Sequence, residues 1–89
     1  MKITKDIDIF GTIRYYNEQG QLHREDGPAI EWSDGYKEWY INGERHREDG
    51  PAVEWTSGYK EWHINDIVYS EQEFNDFFLK KRLKRILEL

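Results

Sequence analysis

The segment His23-Arg24-Glu25-Asp26-Gly27-Pro28-Ala29-Ile30-Glu31-Trp32 returns as His46-Arg47-Glu48-Asp49-Gly50-Pro51-Ala52-Val53-Glu54-Trp55, at an offset of 23 residues. After a variable turn, Gly35-Tyr36-Lys37-Glu38-Trp39-Tyr40-Ile41-Asn42 returns as Gly58-Tyr59-Lys60-Glu61-Trp62-His63-Ile64-Asn65. A period of this length marks a repeat array, in which each unit is one supersecondary element that buries apolar surface only against its neighbours. Residues present in both copies are therefore first suspected of holding the repeat together. Chemistry is rarely needed twice.

Each copy reads as a β-hairpin. Ala29, Ile30, Glu31 and Trp32 form one strand-favouring run, and residues 36–41 form the next. Asp34-Gly35 between them is a strong two-residue turn signal, and Thr56-Ser57-Gly58 stands in its place in the second copy. With Asp34 and Gly35 as the turn, Glu31 faces Glu38, and alternation puts Ile30, Trp32, Lys37, Trp39 and Ile41 on one face. Val53, Trp55, Lys60, Trp62 and Ile64 are their counterparts. This tryptophan-aliphatic face is the expected core, with Lys37 and Lys60 lying across Trp32 and Trp55. The opposite face carries Ala29, Glu31, Tyr36, Glu38 and Tyr40, then Ala52, Glu54, Tyr59, Glu61 and His63. Two glutamates directly opposite repel, so Arg24 and Arg47 are expected beside them.

A worn first unit precedes the full ones. Shifting back one period puts Arg14 on Lys37, Tyr16 on Trp39 and His23 on His46, with residues 9–16 as a degenerate hairpin and residues 3–9 as an edge strand. Ser70-Glu71-Gln72-Glu73 then has capping-box spacing and opens a helix expected to run to Leu89. The expectation is one mainly β (α+β) domain over residues 1–89. Tandem 23-residue hairpins would form an antiparallel meander: an edge strand and degenerate repeat at 1–22, full repeats at 23–45 and 46–68, and one C-terminal helix at 70–89. At about 100° per residue, Phe74, Phe77 and Phe78 share one helix face, while Leu79, Leu83, Ile86 and Leu87 cluster nearly opposite. The phenylalanines are expected on the tryptophan face. The second stripe is left for self-association.

Composition narrows the function classes. With 89 residues and no cysteine, the chain has no disulfide or thiolate staple, so its 16% aromatic content or oligomerisation must supply stability. The net charge of −5 divides into −9 over residues 1–79 and +4 over residues 80–89. An acidic body argues against stable nucleic-acid binding, and a basic tail can pair with such a body. Residues 1–10 are broken by Lys2, Lys5, Asp6 and Asp8 and lack the apolar run of a signal peptide. No run approaches membrane-spanning length. A cytoplasmic chain with no membrane partner is expected.

The tandem His-Arg-Glu-Asp-Gly-Pro-Ala, the following Tyr-Lys-Glu-Trp-Tyr-Ile-Asn-Gly and the closing Tyr-Ser-Glu-Gln-Glu-Phe-Asn resemble a family of small bacteriophage and large-DNA-virus proteins similar to MORN repeats. The resemblance spans about residues 14–76. It implies a hairpin array of viral or prophage origin and no agreed activity. The Tyr-x-Gly-x-x-x-x-Gly-x-Gly pattern of MORN repeats themselves is absent.

His23 and His46 with Asp26 and Asp49 are candidate metal ligands or acid-base pairs. Duplication favours the structural alternative, in which each histidine bonds its own turn and each aspartate caps its Gly-Pro. Glu31, Glu38, Glu54 and Glu61 have the look of a glycosidase carboxylate set, but an open array offers neither cleft nor two distinct environments. No phosphate loop or nucleophile elbow is present. No catalytic residue, metal or cofactor is expected. The expected function is non-enzymatic protein binding: an inhibitor or modulator of a bacterial host protein, such as an anti-phage defence component in the manner of an anti-CRISPR. Glu31, Tyr36, Glu38, Tyr40, Glu54, Tyr59, Glu61 and His63 would contact the target. Leu79, Leu83, Ile86 and Leu87 would form a homodimer. A virion assembly protein and, more remotely, a metal-dependent hydrolase are the alternatives.

Overall fold

The computed structural model describes residues 2–88. Nine short strands follow one another before a single helix: β1 Thr4–Ile7, β2 Ile13–Tyr16, β3 Ile30–Glu31, β4 Lys37–Glu38, β5 Tyr40–Ile41, β6 Glu44–Arg45, β7 Val53–Glu54, β8 Lys60–Ile64, β9 Ile67–Tyr69 and α1 Glu71–Leu87. Seven of them form an antiparallel meander in the order β1-β2-β3-β4-β7-β8-β9, and β5 and β6 make a small separate hairpin. The fold is mainly β with one C-terminal helix, as the repeat implies. The body is flat, with extents of 49 × 34 × 18 Å that take in the sheet and the helix packed on its last hairpin.

The hairpin register differs from expectation by one residue. Trp32 N–H donates to Tyr36 O at 2.9 Å and Gly35 N–H donates to Trp32 O at 2.9 Å, so Ser33, Asp34 and Gly35 form a three-residue loop. Gly35 takes the left-handed conformation this loop requires, at φ +99°. Trp55, Tyr59 and Gly58 repeat the arrangement. Because strand side chains alternate, one residue of slip moves a whole strand's set to the other face. Glu31 therefore faces Lys37, not Glu38, and the row Glu31-Lys37-Glu54-Lys60 alternates in charge across four strands. The expected glutamate repulsion does not arise. On the other face Ile30, Glu38, Val53 and Glu61 stand in one row.

The core changes accordingly. Ala29, Ile30, Tyr36, Ala52, Val53 and Phe74 are the buried apolar residues, while Trp32 and Trp55 are 49% and 50% exposed. Lys37 and Lys60 do not cover those two rings. Instead the Arg24 guanidinium lies 4.2 Å from the Tyr15 ring centre and Arg47 lies 3.9 Å from that of Trp39.

The repeated motif explains itself at this level. Arg24 Nε donates to Asp26 at 2.9 Å, and its Nη1 donates to Pro28 O at 3.2 Å and Glu31 at 3.4 Å. Arg47 makes the same three bonds to Asp49, Pro51 O and Glu54. A methyl group on Gly27 or Gly50 would stand 3.0 or 2.9 Å from the guanidinium carbon, so glycine makes room for the clamp. The aspartates thus serve arginine rather than cap Gly-Pro. Each histidine bonds the asparagine turn at the far end of its own repeat, not the adjacent Asp-Gly-Pro loop: His23 Nδ1 accepts from Asn42 N–H at 2.9 Å, and His46 Nδ1 from Asn65 N–H at 3.2 Å. Asn42 and Asn65 open those turns at φ +48°.

The worn unit is aligned one residue away from the simple shift. Tyr15 N–H donates to Ala29 O as Trp39 N–H does to Ala52 O, so Tyr15, not Tyr16, takes the place of Trp39. The turn closed by Gly20 holds the extra residue, with Asn17 Oδ1 accepting from the N–H groups of Gln19 and Gln21. The edge strand is shorter than expected, at Thr4–Ile7, and it forms the first hairpin with β2.

Helix α1 starts on the expected capping box. Ser70 Oγ accepts from Glu73 N–H at 3.1 Å, and the Glu73 carboxylate accepts from Ser70 N–H at 2.9 Å. Its helical residues end at Leu87, with Glu88 as C-cap. The expected end at Leu89 lies outside the described residues. The helix packs on β8 and β9, with Phe74 buried and Phe77 6.3 Å from Tyr69, so the phenylalanine face meets this last hairpin.

Candidate functional site

The register decides which of the expected contact residues reach solvent. Tyr36, Glu38 and His63 are buried, whereas Glu31, Tyr40, Glu54 and Glu61 are half-buried and Tyr59 is 57% exposed. They do not share a face, since Glu31 and Glu54 lie in the row with Lys37 and Lys60 while the others project oppositely. The tyrosine-glutamate set is therefore not one continuous surface. Much of it is an internal polar network.

Arg45, on β6, centres that network. Its Nη2 and Nε donate to Glu38 Oε1 at 2.7 and 3.0 Å, Tyr40 O–H donates to the same oxygen at 3.1 Å, and Arg45 Nη1 stands 4.0 Å from Glu61. One arginine thus bridges the equivalent glutamates of two repeats. Burial and then the adjacent Glu38 carboxylate push the Tyr36 phenol up to about 12. The His63 hydrogen bond, at 2.9 Å, holds Glu61 below the usual carboxylate range. These groups are committed to one another. Among the described residues no group of three or more His, Cys, Asp or Glu side chains converges as a metal site, and His23 and His46 spend Nδ1 on backbone.

Two grooves run beside the motif loops. The first, of about 670 Å³, lies between successive loops and includes Asp26, Trp39, His46 and Arg47. The second, of about 460 Å³, separates Glu48 and Asp49 from the helix residues Phe78, Lys81, Arg82 and Arg85. Glu48 is drawn below its ordinary value by its hydrogen bond with His46 and by Lys81. The arginines of the first groove are already clamped, so its charge is largely internally matched.

Among the described residues several apolar groups are uncovered, Ile9, Phe10, Ile67 and Val68 among them, and two such surfaces bear on binding. The helix leaves Leu79, Leu83, Ile86 and Leu87 between 49% and 85% exposed, as the sequence stripe implies. The other was missed in the sequence because it depends on the register. Trp32 faces Tyr36, and Trp55 faces Tyr59, at the turn ends of the hairpins. The Tyr36 ring lies 5.9 Å from Trp32 and 4.3 Å from Trp55. The signal available was Thr56-Ser57-Gly58, which lacks the Asp-Gly of a two-residue turn and points to the longer loop.

No protein-family model, no curated protein and no solved structure matches this chain. No helix among the described residues is long and apolar enough to cross a membrane.

Proposed function

We propose that the chain is a non-enzymatic protein-binding module, encoded by a bacteriophage, that inhibits or modulates a bacterial host protein such as a defence component. The observation that carries the binding reading is the helical stripe. Leu79, Leu83 and Ile86 recur at four- and three-residue spacing, with Leu87 beside them, on a helix anchored through its first turns and the Lys81–Glu48 contact. A contiguous aliphatic patch with a charged border is the mark of a protein contact. The phage origin and the host target follow the resemblance of the repeat motif.

A second copy is the occupant this stripe suits. Lys80 and Arg82 border it, and residues 1–79 carry −9, so each tail complements the other chain's body. The test is solution mass by light scattering for the wild type and for Leu83→Asp with Ile86→Asp. The wild type is expected as a dimer and the variant as a folded monomer, because charge in an apolar seam is costly. A wild-type monomer would assign the stripe to a foreign protein. If, in addition, wild type and variant bound an apolar dye equally, the stripe would not be an exposed patch and the reading would fall.

A further inference from the structure

The aromatic rim is independent of the helix. Extending the strand registers by one residue brings Thr12, Trp32, Tyr36, Trp55 and Tyr59 into a single row on successive strands β2, β3, β4, β7 and β8. Trp32, Trp55 and Tyr59 are 49%, 50% and 57% exposed, while Tyr36 between the tryptophans is 9% exposed. Two indole ridges therefore flank a slot floored by a phenol ring. Half-exposed tryptophan and tyrosine rings offer apolar area together with an N–H or O–H donor.

We infer that this rim binds a proline-rich peptide in the polyproline II conformation, lying across the strands with basic residues beside the prolines. It deepens the protein-binding reading by naming a partner chemistry. The first argument is spacing. Trp32 and Trp55 sit on strands separated by one other, or about 9.5 Å at ordinary strand spacing. Polyproline II makes a turn in three residues at about 3.1 Å each, or about 9.3 Å. Prolines three apart thus meet equivalent ridges, the mode in which aromatic grooves read such helices.

Ring geometry is the second argument. The Trp32 and Tyr36 planes are inclined at 85°, and those of Tyr36 and Trp55 at 53°. The surface is ribbed, so a puckered proline seats between the two indoles over the Tyr36 ring, whereas sugars or nucleobases need broad ring faces on which to lie. The third argument is charge. Asp34 stands exposed at the turn between Trp32 and Tyr36, whereas Glu61, near Tyr59 along its strand, is already paired with His63 and Arg45. Lys37 and Lys60 belong to the opposite face, and Arg14, on the rim's own face, is paired with Asp8 at 3.0 Å. The exposed Asp34 carboxylate at the rim suits arginine or lysine in the ligand and disfavours nucleic acid.

Calorimetric titration of the full chain tests this with a synthetic peptide, Arg-Arg-Pro-Ala-Ala-Pro-Ala-Ala-Pro-Ala, against the same peptide with every proline replaced by alanine. Saturable binding of the first is expected, at least about tenfold weaker for the alanine peptide and for Trp55→Ala. The peptide pair on wild-type protein is decisive even if Trp55→Ala folds poorly. Equal binding of both peptides would reduce the contact to arginine on acidic surface and overturn the inference, as would no binding at about 1 mM peptide. Saturation by cellohexaose instead would make the rim a glycan site. None of these outcomes alters the light-scattering result, so this inference and the helix-stripe reading fail separately.

Discussion

The guanidinium of Arg47 touches an aspartate, a proline carbonyl, a glutamate and a tryptophan ring at once, and Arg24 does the same with a tyrosine ring. Arginine's planar fork is what permits this combination. The placement of both arginines beside Glu31 and Glu54 was expected, though from a Glu31–Glu38 repulsion that the register removes. The histidine partners were not, because they lie 19 residues away in the turn at the far end of each repeat. The Glu38 network has a measurable signature in base. Burial and Glu38 raise the Tyr36 phenol from 10.0 to about 12. The folded state thus holds this proton more tightly than the unfolded chain does. Its stabilising contribution is complete below pH 10 and is lost as pH rises towards about 12. Tyr36→Phe keeps the ring and removes the titration. Urea midpoints measured across that window should therefore fall less steeply for Tyr36→Phe than for wild type. Equal slopes would show that the phenol does not carry the alkaline sensitivity.

At the scale of the hairpin, the element itself was legible and its register was not. Asp34-Gly35 suits a two-residue turn, yet the same glycine also closes a three-residue loop with φ +99°. Local turn chemistry did not separate the two, and the choice decides whether Tyr36 and Glu38 face solvent or core. The longer loop brings Ile30 opposite Glu38 and lets Lys37 stand between Glu31 and Glu54, which removes a like-charge pair. The two copies also provide a controlled comparison. Gly35 and Gly58 have φ +99° and +96°, but a Cβ on Gly35 would stand 3.0 Å from Thr56 Cγ2, whereas one on Gly58 would meet nothing within 4 Å. Left-handed backbone costs an alanine roughly 1–2 kcal/mol at either site. Gly35→Ala is expected to lose that much and more, because the neighbouring turn must also shift. Chemical denaturation of the two single variants gives the difference directly. Indistinguishable losses would mean Thr56 yields freely.

The whole molecule is a flat body 18 Å thick, with the helix packed on the last hairpin through its first turns. Phe74 is buried and Phe77 and Phe78 stack beside it, but beyond Leu79 the direct contact with the sheet region is Lys81 with Glu48 at 3.5 Å. An exposed ion pair of this kind contributes little. The helix existence, its cap and its spare stripe were all legible, since they depend on local spacing. Which face it would meet was less so, because that depends on the sheet's register. The tail is therefore separable from the body. Truncation after Leu79 removes the whole +4 of residues 80–89 and leaves a body at −9. Measured at low protein concentration, where mass action favours single chains, the truncated protein should lose less than about 1 kcal/mol. Its denaturant slope should stay near that of the full chain, since the slope tracks the surface exposed on unfolding. A marked drop in slope would place the tail within the cooperative unit. An unchanged slope with loss of the dimer would leave the last turns of α1 as a binding element carried by the array, which folds without them.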